Sequence, residues 1–158
     1  MMSDAITIDL HQQADYRFDV RFDDPDVPVL TIDEPPPLGN NAGPDPSRLV
    51  AVAVGHCLSA SLLFALRKFG NDPGPLRARV RVTLARNERG RLRIGRIAAD
   101  LHLGTDAQRL SRLDRVLAQF EDFCTVTATL RGAVPVDVRV IDAGGAVLHG
   151  AQPALSMA

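Results

Sequence analysis

Apolar and polar residues alternate along several stretches of this chain with a period of two, which is typical of half-buried strands. The first such stretch runs from Tyr16 to Asp23, and a shorter one over residues 27–32 is predicted to pair with it. A second pair is predicted over residues 76–84 and 92–103, and alternating valines over 134–140 predict a last long strand. These stretches indicate sheets with one face buried.

The strand predicted after the turn-forming residues 87–90 changes its buried face part-way along. Apolar residues occupy the even positions 92 and 94, and then the odd positions from 97 to 103. One additional residue in the strand accounts for such a change. We therefore predict a β-bulge at Gly95–Arg96.

A long helix is predicted between the two strand pairs. Prolines and glycines over residues 34–45 exclude regular pairing, so this stretch is predicted to be a loop. Asp45 is suited to cap the helix that follows, and Pro46 is suited to its first position. The helix is predicted to extend to about Phe69.

The composition of this helix is unusual, because residues 49–66 are apolar on nearly every side. Such a helix is either buried at the centre of a protein or spans a membrane. Its alanine-rich composition, the polar His56 near its middle and the amphipathic strands on both sides argue against a membrane. We interpret it as a buried central helix.

A second helix is predicted later in the chain. The stretch from Thr105 to Gln108 matches a capping box, with Thr105 as the cap and Gln108 reaching back to it. Apolar residues then fall on one helical face as far as Phe120. Residues 123–130 are short and rich in β-branched side chains, and their propensity allows either a strand or a helix.

The chain's 158 residues suit a single domain over 1–158, with a core of about 14–150 and peripheral ends at 1–12 and 151–158. The net charge of −1 argues against nucleic acid or an anionic membrane as a partner. The chain has no Trp and one Tyr, so it offers no platform on which bases would stack.

The charges are unevenly distributed along the chain. The first third is acidic, and a middle segment is basic because of the arginines at positions 77, 79, 81, 86, 89, 91, 93 and 96. This segment is either a patch for nucleic acid or a solvated sheet face balanced by the acidic segment. The net charge near zero and the alternation of the arginines favour the solvated face.

The two cysteines, Cys57 and Cys124, are the residues with the clearest chemical potential. Residues 1–10 carry no basic stretch followed by an apolar run, so we expect no secretory signal and a cytoplasmic location. In a reducing compartment, cysteines are more often redox-active, metal-bound or inert than bridged permanently. No Cys-x-x-Cys or His-x-x-His spacing supports a metal, and we expect neither a metal nor a cofactor.

The order of the predicted elements and the positions of the cysteines resemble the OsmC/Ohr family. As in that family, a proline-led helix runs through small apolar residues to a glycine-flanked cysteine, here Pro46 to Gly55-His56-Cys57. The stretches 31–35, 38–39 and 43–44 resemble the lead-in of the OsmC-like branch. Residues 123–127 (Phe-Cys-Thr-Val-Thr) lie where the family usually has Cys-Pro-Val-Ser.

The resemblance implies an α+β, OsmC-like fold in which antiparallel sheets surround two buried central helices of an intertwined homodimer. It also implies a cysteine-based peroxidase that reduces organic or lipid hydroperoxides in oxidative-stress defence. Cys57 would be the peroxidatic cysteine and Cys124 the resolving one. An external dithiol would restore both.

Peroxide reduction requires a thiolate, which an apolar helix does not favour. Cys57 lies three turns from the helix N-terminus, where the helix dipole has little effect. A cation must therefore approach it, and Arg17 or Arg21 is the expected one. His56 points about 100° away from Cys57 on an ideal helix, so we expect a hydrogen-bonded buried histidine or an interface residue.

Two alternatives to the peroxidase remain open at this point. Free cysteines are often small buried hydrophobic residues without a chemical role, and both could be such residues here. Ser47 stands where peroxidase members of the family commonly have an acidic residue after the helix-opening proline. This substitution favours an OsmC-like dimer that binds a small lipophilic ligand with little or no peroxidase turnover.

Overall fold

The structure, a computed structural model, describes residues 5–151. The chain divides into two compact units between Leu49 and Val50. The first unit contains a three-stranded sheet, and the second a four-stranded sheet with helices. The expectation of one domain over 1–158 remains a prediction, and the outermost residues of its peripheral ends, 1–4 and 152–158, lie outside the described residues.

The first unit is an antiparallel sheet of β1 (Ile8–Ala14), β2 (Arg17–Phe22) and β3 (Leu30–Ile32), in that order. The two strands predicted in this region are confirmed, although β3 covers only the last part of its predicted stretch. The strand β1 was not predicted from the sequence. Every residue of β1 is exposed, so its sequence lacks the apolar periodicity by which half-buried strands are found.

The loop after β3 is organised around the buried carboxylate of Asp33. Its oxygens accept hydrogen bonds from the backbone N–H groups of Glu34 at 2.9 Å, Asn40 at 2.9 Å and Ala42 at 3.1 Å. These bonds, chiefly those from Ala42 and Asn40, hold the pKa of Asp33 below its ordinary value. The loop is therefore folded around one charge rather than around an apolar core.

The helix α1 (Pro46–Lys68) begins where the sequence predicts. The Asp45 side chain caps it by accepting a hydrogen bond from the backbone N–H of Arg48 at 2.9 Å. One face packs into the core of the second unit through Val54, Leu58, Leu62, Ala65 and Leu66.

In the single chain, α1 is buried on one side only, and the expectation of a central helix buried in a dimer remains a prediction. Within the second unit one sheet supplies its packing partner, and Val52 and Phe64 on its other side are 63% and 58% exposed. The helix is long and apolar enough to cross a membrane, and 39% of its most apolar 18-residue stretch is buried. One such helix is weak evidence for a membrane span, because the core helix of a soluble protein meets the same criteria.

The second unit's sheet has the order β4-β5-β6-β7, formed by β4 (Arg77–Arg86), β5 (Leu92–His102), β6 (Val136–Ile141) and β7 (Val147–His149). The predicted bulge is confirmed. Thr83 pairs with Arg96 and Leu84 pairs with Ile94, so Gly95 is the additional residue. The α+β class is confirmed, and β5–β6 is the one parallel pair among the strands that the structure describes.

The connection from β5 to β6 contains a 3₁₀ turn (Ala107–Arg109), α2 (Leu113–Gln119), a second 3₁₀ turn (Phe120–Phe123) and α3 (Thr125–Leu130). Residues 123–130, which the sequence left open between strand and helix, are thus mainly helical.

The predicted capping box at Thr105 is wrong, because no α-helix begins there. The α2 helix begins later, after Ser111, whose backbone N–H donates to Asn71 Oδ1 at 2.7 Å and whose carbonyl accepts from Asn71 Nδ2 at 2.9 Å. These two bonds hold the chain extended at Leu110. Tertiary hydrogen bonds therefore prevail over the local capping signal.

All four arginines of β4 are exposed, and those at 77, 79 and 81 alternate along the strand, as expected of a solvated sheet face. Two arginines of the neighbouring strands pair with acidic residues of the same sheet: Arg139 with Asp100 through two hydrogen bonds, and Arg96 with Asp137 at 2.6 Å. A cavity of about 510 Å³ lies over this face, and neither cysteine lines it.

Candidate active site

Cys57 lies in the middle of α1, half-buried against the core of the second unit. Two residues earlier, Gly55 is packed closely against β4: a Cβ atom at this position would lie 2.8 Å from Val80 Cγ2. The absence of a side chain at Gly55 thus lets this turn of the helix approach the sheet closely. Cys57 is thereby held on a rigid element rather than on a loop.

Cys124 is fully buried between the second 3₁₀ turn and α3, which it caps. Its Sγ–H donates a hydrogen bond to Thr127 Oγ1 at 3.0 Å, and its Sγ accepts one from the Thr127 backbone N–H at 3.4 Å. The position of the sulfur is therefore fixed by a single residue three positions later in the chain.

Both cysteines are free, and they belong to one packed region: Cys124 is part of the core, and Cys57 packs against it. Burial raises the pKa of Cys124, and the neighbouring Cys57 raises it further, while the two hydrogen bonds with Thr127 lower it. Cys124 is consequently a neutral thiol at rest, adjacent to a more accessible thiol on α1.

A charged cluster holds the turn that leads into Cys124. Glu121 pairs with Arg131 through one carboxylate oxygen and with His149 Nε2 at 2.6 Å through the other. The His149 ring also contacts Phe120 edge-to-face, with ring centroids 5.3 Å apart. The backbone N–H of Cys124 donates to the Glu121 carbonyl at 3.0 Å. This cluster therefore ties the Cys124 turn to β7.

Neither this cluster nor Thr127 was predicted from the sequence. Thr127 follows Cys124 at the distance that separates an N-cap from the third residue of its helix. This spacing is the local signal from which a contact between the two residues could have been predicted. Glu121, Arg131 and His149 carry no such signal, because His149 meets the other two only through the pairing of β6 with β7.

Arg17 and Arg21, the two expected activating cations, lie on β2 in the first unit and are exposed. Arg17 contributes to the lowered pKa of Asp33 by its positive charge. The role of either arginine at the cysteines remains a prediction. His56 is exposed, so the expectation of a buried histidine is wrong for the single chain, and the interface role remains a prediction.

Comparison with known proteins places this site in a family. The family model described as OsmC-like protein matches residues 39–139, which is more than half of the chain and includes both cysteines. The chain therefore belongs to the OsmC-like family, as its sequence suggested. No curated protein sequence matches it significantly.

Solved structures show the same fold. The chain is similar to an organic hydroperoxide resistance protein of Legionella pneumophila, with a TM-score of 0.68, 17% identity, and coverage of 89% of this chain and 98% of that one. It is similar to the organic hydroperoxide resistance protein OhrB of Bacillus subtilis, with a TM-score of 0.62, 17% identity, and coverage of 87% and 98%. A structure from Vibrio cholerae, described as a putative organic hydroperoxide resistance protein with captopril in one active site, has a TM-score of 0.68, 20% identity, and coverage of 93% and 97%.

Proposed function

We propose that this protein is a cysteine-based peroxidase that reduces organic hydroperoxides as part of oxidative-stress defence. Cys57 is the peroxidatic cysteine, Cys124 is the resolving cysteine, and an external dithiol is the reductant. The observation that carries the proposal is the proximity of a half-buried thiol on α1 to a buried thiol at the start of α3, close enough for Cys57 to raise the pKa of Cys124. The names of the hydroperoxide resistance proteins with the same fold agree with it.

The reaction proceeds in three balanced steps. The Cys57 thiolate attacks the distal oxygen of the hydroperoxide, the O–O bond breaks, and Cys57 becomes a sulfenic acid, while the alkoxide leaves as the alcohol by taking up the proton that Cys57 lost on ionising. Cys124 then attacks the Cys57 sulfur, forming a disulfide and releasing water. Finally, the external dithiol reduces this disulfide by two thiol–disulfide exchanges and is itself oxidised to a disulfide.

The half-burial of Cys57 and the full burial of Cys124 suit these different roles. The peroxidatic sulfur must be reached by the substrate, whereas the resolving sulfur must only reach its partner. Arg17 or Arg21 is proposed to stabilise the Cys57 thiolate.

We also propose that the protein acts as a cytoplasmic homodimer. The exposed Val52 and Phe64 on α1 and the exposed Phe123 beside Cys124 form an unusual concentration of large apolar residues, with the two phenylalanine rings packed edge-to-face. A second copy covering this side of α1 would remove these residues from water. The measurement is the molar mass in solution by light scattering, and a monomeric mass would contradict the dimer.

The peroxidase is tested by the consumption of cumene hydroperoxide in the presence of a dithiol. Wild type is compared with Cys57→Ser and Cys124→Ser, and mass spectrometry under non-reducing conditions follows the disulfide. We expect no turnover in Cys57→Ser. Cys124→Ser should consume about one equivalent to form the Cys57 sulfenic acid and a further equivalent as this acid is over-oxidised to the sulfinic acid. The charge-removing variants Arg17→Gln and Arg21→Gln identify the activating arginine by loss of the first step.

Equal background rates in wild type and both cysteine variants would contradict the peroxidase. The chain would then be better explained as an OsmC-like dimer that binds a small lipophilic ligand, the alternative that Ser47 favours. Binding of a lipophilic fluorescent probe to wild type, with displacement by fatty acids, would support that alternative.

A further inference from the structure

The side-chain hydroxyl of Thr127 forms a hydrogen bond with the Cys124 sulfur. Thr127 is fully buried, and within residues 5–151 its hydroxyl has no hydrogen-bond partner other than Cys124 Sγ. Its backbone N–H also points at the same sulfur. One residue therefore supplies two polar contacts to a thiol that is otherwise surrounded by the hydrophobic core.

These contacts can serve both protonation states of Cys124. Toward the thiol, the Thr127 oxygen acts as acceptor and the N–H as donor. Toward the thiolate, the hydroxyl can rotate so that both groups donate, because a hydroxyl is donor and acceptor alike. Hydrogen bonds to a charged group are roughly twice as strong as those between neutral groups, so the thiolate gains more than the thiol.

We propose that Thr127 is a positioning residue for the Cys124 steps of the reaction, holding the sulfur toward Cys57 and stabilising its thiolate where water is excluded. The place of Thr127 in the reaction cycle rests on the proposed function. The hydrogen bonds from Thr127 lower the pKa of Cys124, which agrees with this role.

Thr127 would act in two steps. In disulfide formation, the Cys124 S–H proton leaves with the hydroxyl group of the Cys57 sulfenic acid as water, while the S–S bond forms. In reduction, the external dithiol attacks the Cys57 sulfur, the S–S bond breaks, and Cys124 leaves as a thiolate. This thiolate accepts hydrogen bonds from the hydroxyl and the backbone N–H of Thr127. The attack of Cys57 on the hydroperoxide does not involve Thr127.

The test compares wild type with Thr127→Val, Thr127→Ser and Thr129→Val. Valine keeps the shape of Thr127 without its hydroxyl, and serine restores the hydroxyl. Thr129 is the matched control, because it is an exposed threonine of the same helix whose hydroxyl bonds to the Thr125 carbonyl at 2.8 Å and not to sulfur. Circular dichroism checks that each variant is folded.

In a first arm, one equivalent of cumene hydroperoxide is added, and rapid acid quench with mass spectrometry separates sulfenic acid from disulfide. We expect Thr127→Val to consume peroxide at the wild-type rate but to form the disulfide about tenfold more slowly, the factor expected for one charge-assisted hydrogen bond. Sulfinic acid at Cys57 should increase, and Thr127→Ser and Thr129→Val should stay within about twofold of wild type.

In a second arm, the disulfide is formed with diamide and reduced with dithiothreitol, so no peroxide is involved. We expect reduction of Thr127→Val to be about tenfold slower, again with rescue by serine. If wild type consumes no peroxide but this difference is found, the proposed function fails and the role of Thr127 stands. Three outcomes would each overturn the role of Thr127. They are a wild-type reduction rate in Thr127→Val, an equal loss of rate in Thr129→Val, and the absence of a disulfide in wild type treated with diamide.

Discussion

The close approach of α1 to β4 at Gly55 leads to a prediction whose sign can be worked out. In an exposed helix, Gly55→Ala would stabilise the chain by about 0.8–1 kcal/mol, because alanine is the better helix former. Here the new Cβ atom would lie 2.8 Å from Val80 Cγ2. Val80 is β-branched and held in a strand, so its methyl group cannot simply rotate away.

Overpacking of this kind costs about 1–3 kcal/mol. Gly55→Ala should therefore destabilise the protein by about 1 kcal/mol overall. Val80→Ala should cost about 1 kcal/mol by itself, because a half-buried valine loses two methyl groups. It also removes the clashing atom, so Gly55→Ala in that background should recover its gain of about 0.8–1 kcal/mol. The two substitutions should thus be coupled by about 2 kcal/mol.

Urea unfolding of wild type, the two single variants and the double variant measures this coupling as a double-mutant cycle. The disulfide yield after diamide treatment adds a second reading, because Gly55 lies two positions from Cys57. A stabilising Gly55→Ala in the wild-type background, or the same change in both backgrounds, would refute the reasoning that glycine is needed there for close packing.

Three further predictions concern stability and are measured by urea unfolding. Asp33→Asn should lower stability at pH 7, because the depressed pKa of Asp33 means that its charge stabilises the fold above about pH 4. That difference should shrink as the pH falls through the folded pKa, and one that persists at pH 2 would contradict it. Asp100→Ala should cost about 1–3 kcal/mol by stranding the partly buried Arg139, whereas a neutral result would mean that solvent screens the pair. Leu62→Ala should cost about 2–5 kcal/mol and the exposed Leu92→Ala under about 0.5 kcal/mol; equal costs would contradict the assigned core.

The elements that the sequence predicted correctly are those in which one face is buried and one is solvated. The bulge at Gly95 was visible because the apolar positions on β5 move from even to odd numbers. The start of α1 was visible because Asp45 and Pro46 act locally. By contrast, β1 is exposed on both faces and leaves no pattern, and the start of α2 is set by Asn71, a residue distant in sequence.

The candidate site was predictable to a similar extent. Cys57 and Cys124 could be singled out by their resemblance to a family pattern, but their proximity depends on how the core of the second unit is packed. The contact of Thr127 with Cys124 could have been predicted from the local sequence, because Thr127 follows Cys124 at the distance of a helix cap. Glu121 and His149 were not, since strand pairing far along the chain brings them together. The effect of Arg17 or Arg21 on Cys57 remains a prediction.

The parallel pairing of β5 with β6 has a consequence for how the chain folds. A parallel pair needs a crossover connection, and Cys124 lies inside that connection. Such a long-range pairing forms more slowly than a hairpin like β4–β5, because a long loop must be closed first. The chain should therefore complete α1 and the β4–β5 hairpin while Cys124 is still distant from Cys57. In a newly made chain, Cys57 and Cys124 would then come together only in the last stage of folding.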